Sequence, residues 1–281
     1  MGNLVLITGG TQGMGKALAI HFLSNGNRVI VVGNSQAKGD SFIHETNNQN
    51  LIFIQANLSL VKENERLIDK IKENYDTLDI LVLCAQSQAV TNEYKQTAEG
   101  FEFIFGLYYL SRYVLSYGLK DLLNKSENPV ILNVCGTGTS NGKINWDDLQ
   151  LKNNYGSLKA IMQGNRLQDF AGVAFDQNNN TKVKYILYNP GIVKTKGATE
   201  AFSNPLLRTL VKIIGQPINK AIEPIIELLN NLPKQSLTVY KQRKSVNLTG
   251  KTFDLQNANK LHELTEKLIE NIKLFRQKNI T

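Results

Sequence analysis

Leu4-Val5-Leu6-Ile7-Thr8-Gly9-Gly10-Thr11-Gln12-Gly13-Met14-Gly15 is the stretch on which the fold turns. The apolar run Leu4 to Thr8 reads as a strand, and an amphipathic helix is predicted from about Met14 to Ser24, stopped by Gly26. Between them lies a glycine-rich loop. Glycine lets the backbone turn tightly and approach an anionic group closely. The helix that begins there aims free N–H groups and the positive end of its dipole at such a group. A tight turn with no ligand is the simpler alternative, but the position between strand and helix favours a phosphate site.

The pattern repeats outward from this unit. Arg28 to Gly33, Leu51 to Ala56, Leu78 to Ala85, Val130 to Cys135 and Val183 to Tyr188 read as further strands, with a last one expected near Thr252 to Leu255. Amphipathic stretches separate them: Glu63 to Asn74, an aromatic-rich helix over Phe101 to Leu123, and a helix starting near Tyr155 and running to Phe175. The strands are continuous apolar runs, as expected of parallel strands covered on both faces. The expectation is one doubly wound α/β domain over residues 1–281, with a parallel sheet of about seven strands. A helical flap is expected over about 197–233, and a closing helix carries Leu261, Leu264, Leu268, Ile272 and Phe275 on one face.

The spacing Gly9-x-x-x-Gly13-x-Gly15 after Thr8 resembles the fingerprint of the short-chain dehydrogenase/reductase family, which is built on a Rossmann fold. Asn57-Leu58 resembles that family's Asp-Leu pair at the adenine ring, and Cys84-Ala85-Gln86 stands where it has Asn-Ala-Gly. Pro190-Gly191-Ile192-Val193-Lys194-Thr195 matches its Pro-Gly-x-x-x-Thr motif, where the backbone at Ile192 and the Thr195 hydroxyl would meet the nicotinamide amide. The resemblance implies a nicotinamide dinucleotide held by Gly9, Thr11, Gln12, Gly13 and Met14. The second strand ends in Gly33-Asn34-Ser35, without the acidic residue that would bind a ribose 2′-hydroxyl. Asn34, Ser35 and Lys38 can meet a 2′-phosphate, so NADP is favoured over NAD.

The same family uses Tyr-x-x-x-Lys, a serine and an asparagine for catalysis, because a hydroxyl must be poised for proton transfer opposite the hydride-bearing carbon. Two registers are open. In the first, Tyr155 and Lys159 are the catalytic pair, and Thr137, Thr139 or Ser140 replaces the serine. In the second, Gly142-Lys143-Ile144 and Asp147-Asp148-Leu149-Gln150 resemble the retinol-dehydrogenase-like branch. That register puts Ile161 and Asn165 at the Tyr and Lys positions, Gly136 at the serine and Tyr108 at the asparagine. Tyr108 would then offer a substitute hydroxyl or simply pack among Phe101, Phe105, Tyr109 and Tyr113.

Composition narrows the remaining classes. The net charge of +8 comes from scattered lysines and suits solubility or an anionic partner. No nucleic-acid module is recognisable. Cys84 and Cys135 follow apolar runs and read as buried free thiols of a reducing compartment. No signal peptide or spanning segment is recognised, so a cytoplasmic protein without a membrane partner is expected. His21, His44 and His262 form no metal-ligand spacing, and Trp146 reads as a loop anchor. The expected function is NAD(P)-dependent hydride transfer to or from a small carbonyl or alcohol. The alternative is a catalytically degenerate dinucleotide-binding sensor or scaffold. The aromatic helix permits a homo-oligomer.

Overall fold

The computed structural model describes residues 2–87, 93–139, 142–178, 180–200 and 205–278. Eight strands form one sheet: β1 (Leu4–Thr8), β2 (Arg28–Gly33), β3 (Leu51–Gln55), β4 (Ile80–Leu83), β5 (Val130–Val134), β6 (Lys184–Asn189), β7 (Leu237–Lys241) and β8 (Lys244–Ser245). Their order is β3-β2-β1-β4-β5-β6-β7-β8, parallel throughout except for the β7–β8 pair. The six early strands stand where the apolar runs put them. The last parallel strand does not: it is β7, and Thr252 to Leu255 instead forms a 3-10 turn (Lys251–Phe253) and a helix start. The cause is Asp254, whose side chain accepts the Asn257 N–H and caps the helix, drawing Leu255 into it.

The continuous apolar runs conceal a period of two. Leu4, Leu6, Ile30, Val32, Leu81, Leu83 and Ile131 enter one core; Val5, Ile7, Val29, Val31, Ile80, Val82, Val130 and Leu132 enter the other. Alternate side chains point to opposite faces, and both faces are covered by helices. The second core holds α1 (Gly13–Ser24), α2 (Gln36–Thr46) and a later helix, Ile218–Asn230, through Leu18, Phe22, Phe42, Ile222 and Ile225. The first holds α3 (Val61–Asn74), the aromatic segment and α6 (Ser157–Asn178).

The aromatic helix is not continuous. It comprises a π-helical turn at Phe105–Leu110, then α4 (Ser111–Gly118) and α5 (Lys120–Leu123). The buried carboxylate of Glu102 accepts the Ile104 and Phe105 N–H groups at 2.9 and 2.6 Å and so starts the segment. The expected flap also divides, into α7 (Lys196–Glu200), α8 (Pro205–Ile214) and α9 (Ile218–Asn230). Only α7 and α8 stand off the body, since α9 buries Ala221, Ile222 and Ile225 against the sheet layer.

The last helix, α10 (Leu255–Lys278), lies across α6 and the aromatic segment. Tyr109 bonds Thr265 at 2.7 Å, and Tyr113 bonds both His262 and Glu266. The C-terminal helix thus packs on the tyrosines of the aromatic segment.

Candidate active site

β1 has β2 on one side and β4 on the other, so the crevice in which doubly wound sheets bind ligands lies at the C-terminal ends of β1 and β4. Gly9 and Gly13 have φ of +66° and +60°, a left-handed backbone that side chains resist. A Cβ on Gly9 would lie 2.8 Å from the Ala85 Cα, and one on Gly15 2.4 Å from the Gly9 carbonyl oxygen. The Thr8 hydroxyl accepts the Cys84 and Ala85 N–H groups at 3.2 and 3.3 Å, tying β4 to the loop. At the start of α1, Gln12 gives no side-chain cap and the first turn carries no acid. Free N–H groups and positive dipole are thus left facing the crevice, an arrangement that suits a pyrophosphate. Met14 packs partly buried below.

At the end of β2, Gly33 lies against Thr11, and the Ser35 hydroxyl accepts the Lys38 N–H to start α2. That helix was hidden in the sequence because only Gly39 and Phe42 are buried on it. Lys38 extends its ammonium to the Gln12 Oε1 at 3.1 Å, placing an exposed cation beside the glycine loop. Asn34 is exposed. Asn57 Oδ1 accepts both the Ser59 N–H and its hydroxyl, so the side chain is partly engaged in a local turn, with Leu58 buried behind it.

The opposite rim comes from β6. Asn189 donates to the Thr137 carbonyl at 2.9 Å and accepts the Gly191 N–H at 2.9 Å, holding Pro190 and Gly191 in place. Ile192 is exposed, and the Thr195 hydroxyl accepts the Ala198 N–H to start α7. A Cβ on Gly13 would lie 3.4 Å from the Thr195 Cγ2. The glycine loop and the Pro190–Thr195 segment, 182 positions apart from residue 13 to residue 195, therefore close on each other across the crevice. Gln86 is exposed, Ala85 is buried, and burial pushes both the Cys84 and Cys135 thiols up to about 12, leaving neither as a nucleophile.

Between these rims stands a group of residues from three elements. Tyr108 donates to Asn165 Oδ1 at 2.5 Å, and the Gly136 N–H is shared by the Tyr108 hydroxyl at 3.1 Å and Asn165 Oδ1 at 3.0 Å. The fit is tight. A Cβ on Gly136 would come within 2.3 Å of Asn165 Nδ2, and one on Gly164 within 2.7 Å of the Tyr108 ring. Tyr108 sits in the π-helical turn, and the buried Gln168 amide donates to its carbonyl. Gln168 Oε1 accepts from Asn133, and Asn133 Oδ1 accepts from Arg112.

Arg112 is 1 % exposed and donates further to the Val134 and Ala85 carbonyls. Its guanidinium carbon lies 4.5 Å from the centre of the Tyr108 ring. Burial raises the Tyr108 pKa, and the Arg112 charge acts in the opposite direction. One turn along α6, Asp169 accepts from the Thr137 hydroxyl and pairs with Arg166 at 2.8 Å. Burial outweighs both partners and pushes this carboxyl up to about 7. The Thr137 hydroxyl is thus already committed, and that of Thr139 donates to the Gly136 carbonyl. Ser140 lies outside the described residues.

The structure does not bring Tyr155 and Lys159, read from the sequence as the catalytic pair, into this group. α6 begins at Ser157, after Tyr155, so the two do not share a helical turn. The Tyr155 hydroxyl donates to Glu102 at 2.8 Å, and burial together with that carboxylate raises its pKa. Lys159 is exposed and its ammonium meets the Asn154 carbonyl at 3.4 Å. Asn165 lies ten residues beyond Tyr155 and eight beyond the start of α6, about 12 Å along its axis. Ile161, one turn before Asn165, is half-buried. Trp146 stacks on Phe170 under the Lys260 ammonium, an anchoring role. Arg112 and Gln168 were missed by sequence reasoning; an arginine amid an aromatic, otherwise apolar helix was the available signal.

Comparison with known proteins agrees with the fold. The short chain dehydrogenase family model matches residues 3–205. Human dehydrogenase/reductase SDR family member 12 is 26 % identical over 204 residues, covering 71 % of this chain and 63 % of the relative. Human retinol dehydrogenase 12 is 28 % identical over 204 residues, covering 69 % and 63 %. The chain thus spans less than two-thirds of the length of these curated relatives. Among solved structures, a short chain dehydrogenase from Salmonella enterica serovar Typhi superposes with a TM-score of 0.65 at 17 % identity, covering 87 % of this chain and 97 % of that one. The Pseudomonas aeruginosa RhlG/NADP active-site complex superposes at 0.66 and 18 % identity, covering 85 % and 94 %.

Proposed function

Since the chain belongs to the short chain dehydrogenase family, we propose that it is an NAD(P)-dependent oxidoreductase acting on a small carbonyl or alcohol, with NADP preferred and Tyr108 as the proton-donating hydroxyl. The observation that carries this reading is the approach of Gly13 to Thr195 across the crevice. Both rims of a dinucleotide site are built and face each other. Gly9, Thr11, Gln12, Gly13 and Met14 would hold the pyrophosphate. Asn34, Ser35 and Lys38 would hold the adenosine ribose with its 2′-phosphate, and Asn57 and Leu58 the adenine. Cys84, Ala85 and Gln86 would floor the site, and Pro190, Gly191, Ile192 and Thr195 would receive the nicotinamide amide. The bound dinucleotide supplies or accepts the hydride.

The chain's own residues handle the proton. In the reducing direction Tyr108 would give its hydroxyl proton to the substrate oxygen. The phenolate left behind keeps the Gly136 N–H as a donor. A turn of the Asn165 amide would replace its accepting oxygen by a donating NH2. The Arg112 guanidinium over the ring adds fixed positive charge in a site sheltered from water, where it acts strongly. Arg112 and Asn165 would in this way do the work that the family assigns to its lysine.

The test is calorimetric titration of the protein with NADPH and NADH, followed by a panel of aldehydes and ketones with the tighter cofactor. Binding of NADPH in preference to NADH, with oxidation of the cofactor by at least one carbonyl, is the expected result. Absence of binding to either would overturn the reading. Tight binding without turnover on any carbonyl would favour the sensor or scaffold alternative.

A further inference from the structure

We propose that α8 docks the protein peripherally on an anionic lipid bilayer. Leu206, Leu210, Ile213 and Ile214 are 79 %, 48 %, 71 % and 53 % exposed. Their spacing of four, seven and eight residues puts them on one face of the helix, so they form a continuous stripe rather than scattered apolar surface. Ile192, 48 % exposed, extends the patch from the neighbouring segment, because Val193 pairs with Gln216 just beyond α8. Val211 is the side chain of α8 that turns inward among those described. A ten-residue helix in water does not hold itself together by propensity, and it needs its apolar face covered.

Charge identifies the cover. Lys194, Lys196, Arg208, Lys212 and Lys220 are all exposed on or beside α8. Arg208 and Lys212 fall on the side of the helix opposite the apolar stripe, as in helices that lie in the lipid headgroup plane. Glu223 and Glu227, the acids of α9, are paired with Arg243 and do not offset Lys212 and Lys220. A second copy of this chain would bring the same cations against one another, in a protein already carrying a net charge of +8. Among the described residues no helix is long and apolar enough to cross a membrane, so attachment is to one leaflet surface. The proposal is independent of the cofactor reading and would survive its failure.

The experiment is co-sedimentation of the full chain with vesicles of phosphatidylcholine alone, or of phosphatidylcholine mixed with phosphatidylserine. The protein is expected on the mixed vesicles, to be released by roughly 0.5 M salt, and to bind the neutral vesicles at least about tenfold less. Leu210→Glu/Ile213→Glu is expected to lower partitioning by about tenfold or more, with an unchanged thermal midpoint because both side chains are exposed. Lys212→Glu/Lys220→Glu is expected to weaken binding only to the mixed vesicles. Equal binding to both vesicle types, or a Leu210→Glu/Ile213→Glu protein that still partitions, overturns the proposal. So does a double variant whose lipid binding is intact but which raises KM for a carbonyl in the absence of lipid, since α8 would then be a substrate cover. A dimer of the unmodified chain that this variant dissociates would assign the stripe to a second copy and overturn it equally.

Discussion

The proposed cofactor cradle and the proposed reaction end differ in what they are made of. The cradle is backbone: Gly9 and Gly13 in left-handed conformation, Gly15 against the Gly9 carbonyl, and uncapped N–H groups at the start of α1. The reaction end is side chains: Tyr108, Asn165, Asp169 and Arg112, meeting from the π-helical turn, α6 and α4. A backbone site tolerates few residue types, and here the family's glycines are retained. A side-chain site can be rebuilt when its neighbours change in concert. Tyr108 fits because residue 164 is glycine, and Asn165 fits because residue 136 is glycine. A side chain at residue 164 would meet the Tyr108 ring, and one at residue 136 would meet the Asn165 amide.

The sharpest way to break the comparison is Gly15→Val. Its Cβ would collide with the Gly9 carbonyl, and loss of about 100-fold or more in NADPH affinity is expected by calorimetry. Next comes Tyr108→Phe, expected to lower kcat by about 100-fold with cofactor affinity unchanged. Tyr155→Phe is its contrast: kcat stays within about twofold, and stability falls by about 1 kcal/mol in urea because Glu102 loses a donor. Equal losses of kcat in the two variants would return the proton-donor role to neither residue.

A pH series probes the same region without cofactor. The Asp169 carboxyl is raised from its ordinary 3.8 to about 7 by burial. Between those values the unfolded chain has released the proton and the folded chain still holds it. Stability is therefore greatest at the acid end of this window and falls as the pH climbs toward 7, by an amount on the order of a few kcal/mol. Asp169→Asn is expected to abolish that slope in thermal midpoints measured across the window. The smallest effect concerns the cradle's outer edge. Lys38→Ala is expected to weaken NADPH about tenfold and NADH hardly at all, because only the former carries the phosphate that the exposed ammonium would meet.

Where a signal was local, the sequence was readable. Apolar runs marked six strands within a residue or two, since a strand buried on both faces must be apolar along its length. The glycine loop was readable for the same reason, because its conformation restricts the residue type. α2 was not, since its exposed turns carry no apolar period, and β7 was passed over for a run that Asp254 turns into a helix. Tyr155-x-x-x-Lys159 spells the family's pattern, but the structure sets it apart from Tyr108 and Asn165, and spelling alone cannot tell where a helix starts.

By itself, then, the sequence determined the parallel α/β architecture, the glycine-rich turn and the segments at both ends of the crevice, all of which follow from periodicity and glycine. Tertiary structure alone decided which hydroxyl stands between those ends, because the meeting of Tyr108, Gly136 and Asn165 depends on three elements far apart in the chain. It also decided that Arg112 is buried beneath them and that the apolar stripe of α8 faces outward, since a side chain's environment is made by what packs against it.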